Sequence, residues 1–327
     1  MVVPDHCRAR YRTAAQIKVS GAIGKLRDGA QITAHGVATR LLAWPGTGFQ
    51  TEAVHVVTVQ PNEQSEHWCY DLAEDALLCH SGHPEVLLRG AWVGMAPGDL
   101  AYVPPGRERA IRNTTDTMAI LVNQITPPQI DLYIDHGLYN ADMGVFNYDS
   151  AHKATTNAVP SQMAGDGRFS YQDTSPEVRA WNLSVEDVRR DGALFNVYRG
   201  TPYSGIGLPM RLVLWPGAGS RTSGFNFAYG ADGVEDVIHK HPVADECLVI
   251  WAGRGRFYMG DRWVEVEAGD AVLAPCGVAH GHVSVGPALF GGFASPPQLD
   301  LVIPDRGVYR DGRFVTTTTT TELTVDI

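Results

Sequence analysis

Trp44-Pro45-Gly46-Thr47-Gly48 recurs as Trp215-Pro216-Gly217-Ala218-Gly219, 171 residues further along the chain. Gly82 returns as Gly253, Gly98-Asp99 as Gly269-Asp270, and Pro104-x-Gly106 as Pro275-x-Gly277, all at that spacing. Pro127-Pro128-Gln129 returns as Pro296-Pro297-Gln298 after 169 residues. Single Gly or Pro matches arise by chance, but a constant spacing through several motifs does not, so one unit has been used twice. The 327 residues suit two units at roughly 150 residues each. The expected division is an N-terminal unit at 1–145, a connection at 146–183 and a C-terminal unit at 184–327.

Both units read as β. In the second, residues 211–215, 247–251, 256–259, 263–267 and 271–274 are short runs of branched and aromatic side chains. Gly-containing turns such as Ala252-Gly-Arg-Gly255 and Gly260-Asp261 separate them, which is the pattern of an antiparallel sandwich or barrel. The expected class is all-β. Helical signal is sparse: Ser184-Val-Glu-Asp187 reads as a helix start, and 114–123 as strand. Residues 150–183 show no periodicity and are expected to form a long connection, and the Thr316–Thr321 run to fray.

Charge excludes some partners. With 26 Lys+Arg against 36 Asp+Glu, the net charge of −10 repels nucleic-acid backbones and anionic membranes. A hydrophobic content of 44% supports a large core. No apolar run nears the ~20 residues of a spanning helix, and residues 1–7 lack an apolar signal core, so the expected location is the cytoplasm. Cys7, Cys69, Cys79, Cys247 and Cys276 form no CxxC pair and are expected to be free thiols.

The chemistry is concentrated in the second unit. His239-Lys240-His241 is followed by Glu246 and, further along the chain, by His280. Residues i and i+2 of a strand share a face, so His239 and His241 present both imidazoles together. A lone histidine would be read as an ordinary core or surface residue. Three imidazoles and a carboxylate at these spacings point to a divalent first-row metal: iron, manganese, nickel, zinc or copper.

These residues resemble the two motifs of the cupin superfamily. Gly233-x5-His239-x-His241-x4-Glu246-x6-Gly253 matches the first in spacing, and Gly269-x5-Pro275-x-Gly277-x2-His280 the second; Ser284 stands where the second motif usually ends in Asn. The resemblance covers roughly 35–135 and 205–305. It implies two tandem jelly-roll β-barrels and one metal ion held by His239, His241, His280 and Glu246, with ferrous iron the first choice and manganese, nickel or zinc the others. At the repeat spacing, Trp68, Tyr70, Asp75 and Arg109 replace those four in the first unit, which is therefore expected to be metal-free. Asp75 and Arg109 are expected to pair inside it, with Trp68 and Tyr70 filling the vacated volume and the Tyr hydroxyl joining the pair. His67 is out of phase with that face, and His80 and His83 read as surface residues.

Around the metal set, Glu246 and His282 are candidate catalytic groups, and Arg211 is the candidate anchor for a substrate carboxylate. Asn226, Tyr229, Trp251 and Tyr258 are further candidates for lining the second unit, and Phe225, Phe227 and Phe257 supply aromatics. Bicupins of this size include ring-cleaving dioxygenases of gentisate and salicylate, so the expectation is a non-haem dioxygenase taking O2 and a small hydroxylated aromatic acid. Gentisate-type sites generally lack the Glu. The alternative is a metal-dependent lyase, isomerase or hydrolase of small carboxylates, as in oxalate decarboxylases and ureidoglycine aminohydrolases. A storage or regulatory bicupin fits less well, because the metal set is intact and no basic DNA-binding segment is present. Exposed sheet edges suggest a homo-oligomer, a dimer or higher.

Overall fold

The computed structural model describes residues 8–147, 174–205, 208–297, 307–310, 313–316 and 321–322. Each unit is a jelly roll of two sheets. In the first, a seven-stranded sheet runs in the order 193–196, 99–103, 74–81, 119–126, 53–59, 37–43 and 30–34. In the second, the order is 22–25, 270–274, 245–252, 288–295, 224–230, 208–214 and 201–205. Smaller sheets complete each roll: 91–94, 85–88 and 111–112 in the first, and 262–267, 254–259, 280–284, 235–240 and 321–322 in the second. All the strand pairs are antiparallel, as the short-turn sequence requires.

The outermost strand of each large sheet comes from the other unit. Ala22–Lys25 pairs with Leu273–Asp270, and Ala193–Asn196 pairs with Tyr102–Asp99. These two strands are themselves 171 residues apart, and each follows a short helix, Ala14–Ser20 or Val185–Asp191. The Thr13 hydroxyl accepts from the Gln16 N–H at the first helix, and the Ser184 hydroxyl accepts from the Asp187 N–H at the second. Gly21 and Gly192 end the helices at positive φ. The division at 145 and 184 is therefore retained as a proposal for the covalent units, with these helix–strand segments docked across it.

Strand alternation sorts the apolar side chains into three layers. Val57, Leu77, Val86, Val103 and Leu121 fill the first roll. Leu248, Phe257, Val264, Val272 and Phe290 fill the second. The opposite faces of the two large sheets pack together through Trp44, Val54, Leu78, Phe225, Phe227, Cys247, Val249, Trp251 and Phe293.

Three expectations need correction. His80 is buried, its ring 5.2 Å from Trp251 between the units, because the strand 74–81 runs on past the turn where His80 was placed; His83 is exposed. The strand expected over 114–123 is Ala119–Thr126, with a turn before it held by the Asn113 carboxamide. The two ends of the threonine run lie in strands: Arg313–Thr316 is one, and Thr321–Glu322 pairs with Lys240 and His239 at the edge of the smaller sheet. Thr317–Thr320, Cys7 and residues 148–173 of the connection lie outside the described residues. Cys69, Cys79, Cys247 and Cys276 are free. No helix of the described residues is long and apolar enough to cross a membrane.

Candidate metal centre

Four side chains converge inside the second roll from three adjacent segments. His239 lies near the end of Glu235–Lys240 and His241 just beyond it, Glu246 lies on Asp245–Ala252, and His280 opens His280–Ser284. An irregularity in pairing between Asp236 and His239 resets the alternation, so Asp236 and Ile238 are buried and His239 is buried as well. One ligand atom from each of His239, His241, Glu246 and His280 lies within 4.8 Å of every other, and all four residues are buried.

The donor chemistry fits a cation. His239 Nδ1 is 2.7 Å from the Val237 carbonyl and His280 Nδ1 is 2.9 Å from the Val278 carbonyl. A carbonyl only accepts, so each Nδ1 carries the proton and each Nε2 keeps its lone pair in the neutral ring. Yet His280 Nε2 lies 2.9 Å and His241 Nε2 3.2 Å from Glu246 Oε2. A lone pair facing a carboxylate oxygen at that distance repels it unless a proton or a metal ion is shared. Burial, and then the neighbouring His280 and His241, hold the His239 pKa well below its ordinary value, which keeps that ring neutral as a ligand must be. Burial works to raise the Glu246 pKa, but the His241 and His280 rings at hydrogen-bond distance outweigh it and bring it down, as a shared proton or cation would.

The cavity beside these ligands is lined on its other side by Leu208, Met210, Ala228, Leu248 and Phe290, with Asn226 and Asp236 as its other polar side chains. It is tight, with about 20 Å³ available to the centre of a water, room for one water or ion. Sequence reading missed Asp236. Its signal was its position three residues before His239, which a regular strand would have turned to the other face. Asp236 Oδ1 has no hydrogen-bond partner among the described residues and lies 3.9 Å from His239 Nδ1. Burial raises its pKa well above the carboxylate range, with the Glu246 charge adding to the effect.

The softer candidates divide by strand parity. Asn226 faces the cavity. Arg211 does not: Leu208, Met210 and Leu212 are buried in alternation with it, and its guanidinium donates to the Gly200 carbonyl, 3.1 Å away, beside an outer groove shared with Tyr198 and Tyr229. The expected carboxylate anchor is thus on the wrong face. Phe225, Phe227 and Trp251 point between the units, Tyr229 is exposed, and Tyr258 packs against Trp263. Phe257 lies inside the roll but deeper, against His282 and Phe290. His282 is buried between those rings, 4.8 and 4.3 Å away, outside the group of four; burial lowers its pKa to about 4.

In the first unit the corresponding positions hold an ion pair. Arg109 Nε is 2.8 Å from Asp75 Oδ2, Trp68 Nε1 donates to the same oxygen at 3.3 Å, and Asn123 donates to Oδ1. The Tyr70 ring stacks under the guanidinium at 4.5 Å, but its hydroxyl is bound to His35 Nε2 at 2.9 Å and not to the pair as expected. His67 Nδ1 lies 3.2 Å from Glu108 at the surface.

Residues 55–124 and 225–290 each match the model of the Cupin domain family. No curated protein sequence is significantly similar to the chain. Protein Ylba from E. coli resembles it in structure, with a TM-score of 0.57 at 13% identity over 84% of this chain and 89% of Ylba. Oxalate decarboxylase from Bacillus subtilis gives 0.53 at 16% over 84% and 77%. Salicylate 1,2-dioxygenase from Pseudoaminobacter salicylatoxidans, in its gentisate adduct, gives 0.51 at 16% over 79% and 73%. These likenesses concern the fold.

Proposed function

The chain belongs to the cupin superfamily, and from that premise we propose that its C-terminal unit is a non-haem metal-dependent dioxygenase cleaving a small hydroxylated aromatic substrate with O2. The observation that carries this reading is the cavity beside the four-residue cluster: His239, His280 and Glu246 face an apolar wall of Leu208, Met210, Ala228, Leu248 and Phe290. Such a wall suits dioxygen, and an aromatic ring enters only where the lining yields, because the space as it stands has room for one water. The polar end suits the substrate's oxygen atoms. A divalent ion held by His239, His241, His280 and Glu246, with iron the first choice, supplies the one-electron chemistry of dioxygen and an anchor for those oxygens. Phe290 offers a stacking face, and the Asn226 carboxamide offers a hydrogen bond to a substrate oxygen. Met210 has three rotatable bonds and is the lining side chain best able to yield to an entering ring. A salicylate- or gentisate-like acid stays within this reading, with Arg211, which lies outside the cavity, not placed to pair its carboxylate.

Asp236 favours a second reading, a metal-dependent lyase, isomerase or hydrolase of a small carboxylate. Its buried carboxyl borders the cavity with one oxygen unpartnered among the described residues, where a proton-transfer group would be needed. The discriminating assay loads the protein with iron or manganese and follows oxygen uptake against a panel of hydroxybenzoates. Uptake matched by loss of aromatic absorbance supports the dioxygenase. Undiminished turnover under strict anaerobiosis overturns it in favour of the second reading.

A further inference from the structure

We infer that Asp245 is a positioning residue that fixes the metal ligands of the second unit against the first unit. The inference rests on the metal reading of His239, His241, Glu246 and His280. Asp245 is fully buried, immediately before Glu246 on the same strand. Its Oδ2 accepts from the N–H groups of Gln50 and Thr51, at 2.6 and 2.7 Å, and from the Thr51 hydroxyl at 2.8 Å, all on the first unit. Its Oδ1 accepts from the Cys276 N–H at 2.8 Å, in the turn that leads to His280.

That turn is fastened to the loop that carries His241. The Cys276 thiol donates to the Pro242 carbonyl at 2.8 Å, and the Gly277 N–H donates to the His241 carbonyl at 2.8 Å. One carboxylate therefore joins the strand of Glu246, the turn before His280 and, through that turn, the loop of His241 to a fixed point on the neighbouring unit. Charge-assisted bonds of this kind are short and directional, which suits them to holding ligand geometry.

The repeat provides a matched control. Glu74, at the position corresponding to Asp245, accepts from the N–H groups of Arg221, Thr222 and Ser223 at 2.7, 2.8 and 2.7 Å and from the Thr222 hydroxyl at 2.9 Å. It grips the second unit as Asp245 grips the first, but the strand it sits on carries Asp75 in place of a ligand. Loss of either acid loosens the same junction, whereas loss of Asp245 alone also frees the ligand segments.

The test uses the full chain loaded with cobalt(II), read by competition with a chelator and by the visible ligand-field spectrum, for the parent, Asp245→Asn, Asp245→Ala and Glu74→Ala. The expected result is cobalt affinity reduced at least tenfold, with an altered spectrum, in both Asp245 variants. Glu74→Ala should stay within twofold of the parent with its spectrum unchanged, even where its unfolding midpoint falls as far. If Asp245→Ala does not fold, Asp245→Asn, of nearly the same size, decides. Asp245 variants matching the parent, or Glu74→Ala reproducing their change, overturn the positioning role. A parent protein that takes up no cobalt overturns the metal reading and this inference with it.

Discussion

Arg109 and Asp75 form a solvent-excluded ion pair, 2.8 Å from Nε to Oδ2, at the positions where the second unit carries His280 and Glu246. Two charges buried together offset one another, but either left alone faces the full desolvation penalty. Arg109→Met should therefore destabilise the chain by about 3–5 kcal/mol, and Asp75→Asn combined with Arg109→Met should recover most of the loss. Urea unfolding of the single and double variants measures this. A double variant as unstable as Arg109→Met would show that the pair's geometry, and not its charge balance, supports this unit.

Trp68, Tyr70, Asp75, Arg109 and the four residues matching them were legible because one spacing runs through both copies and strand positions keep their phase. Arg211 was misassigned because sequence gives a strand's alternation without saying which face is which; pairing with its neighbours settles that. His80 and the aromatics at 225, 227 and 251 were misplaced for a related reason. Both faces of these central strands are buried, one in a roll and one between the units, so apolar or aromatic character cannot separate them. The crossing strands at 22–25 and 193–196 left no trace in composition, since their partners lie far away in sequence.

His241→Ala should remove both metal and turnover while leaving the fold intact, because the roll is packed by Leu248, Phe257 and Phe290 independently of the ligands. Elemental analysis and far-ultraviolet circular dichroism of the same preparation check the two halves of this expectation. Parent-level metal content in the variant would remove His241 from the ligand set.

Acid should destabilise the first unit through His55. The ring is buried, with Nε2 3.2 Å from the Tyr133 hydroxyl, and burial, followed by the His35 charge, lowers its pKa to about 3. The unfolded chain takes up the proton near 6.5, so the folded state is at a disadvantage below that pH. The contribution to stability is complete above about 6.5 and is lost as the pH falls toward 3, at about 1.4 kcal/mol per pH unit. His55→Gln carries no such proton. Whatever its stability at pH 7.5, its acid slope should be shallower than the parent's by about one proton in urea titrations between pH 4.5 and 7.5. Parallel slopes would mean that His55 is charged in the folded state.

Glu52 should act in the opposite direction. It is fully buried at the junction of the units, with Oε2 accepting from the Gln124 carboxamide and Oε1 lacking a partner among the described residues. Burial, followed by the charge of Asp245, raises its pKa well above the ordinary carboxylate value, while a hydrogen bond from Gln124 works against the rise. The unfolded chain ionises this group near 4.5, so above that pH the folded state holds a proton that the unfolded chain has released. The contribution to stability is therefore full below about 4.5 and is lost as the pH rises through the folded pKa. Glu52→Gln has nearly the shape of the neutral acid and cannot ionise in either state. It should match the parent near pH 4.5 and exceed it progressively above that, by at least about 1 kcal/mol at pH 8. The comparison needs unfolding free energies of both proteins at pH 5, 6.5 and 8. A gap that stays constant across that range would mean Glu52 is ionised in the native junction, stabilised there by a group other than Gln124.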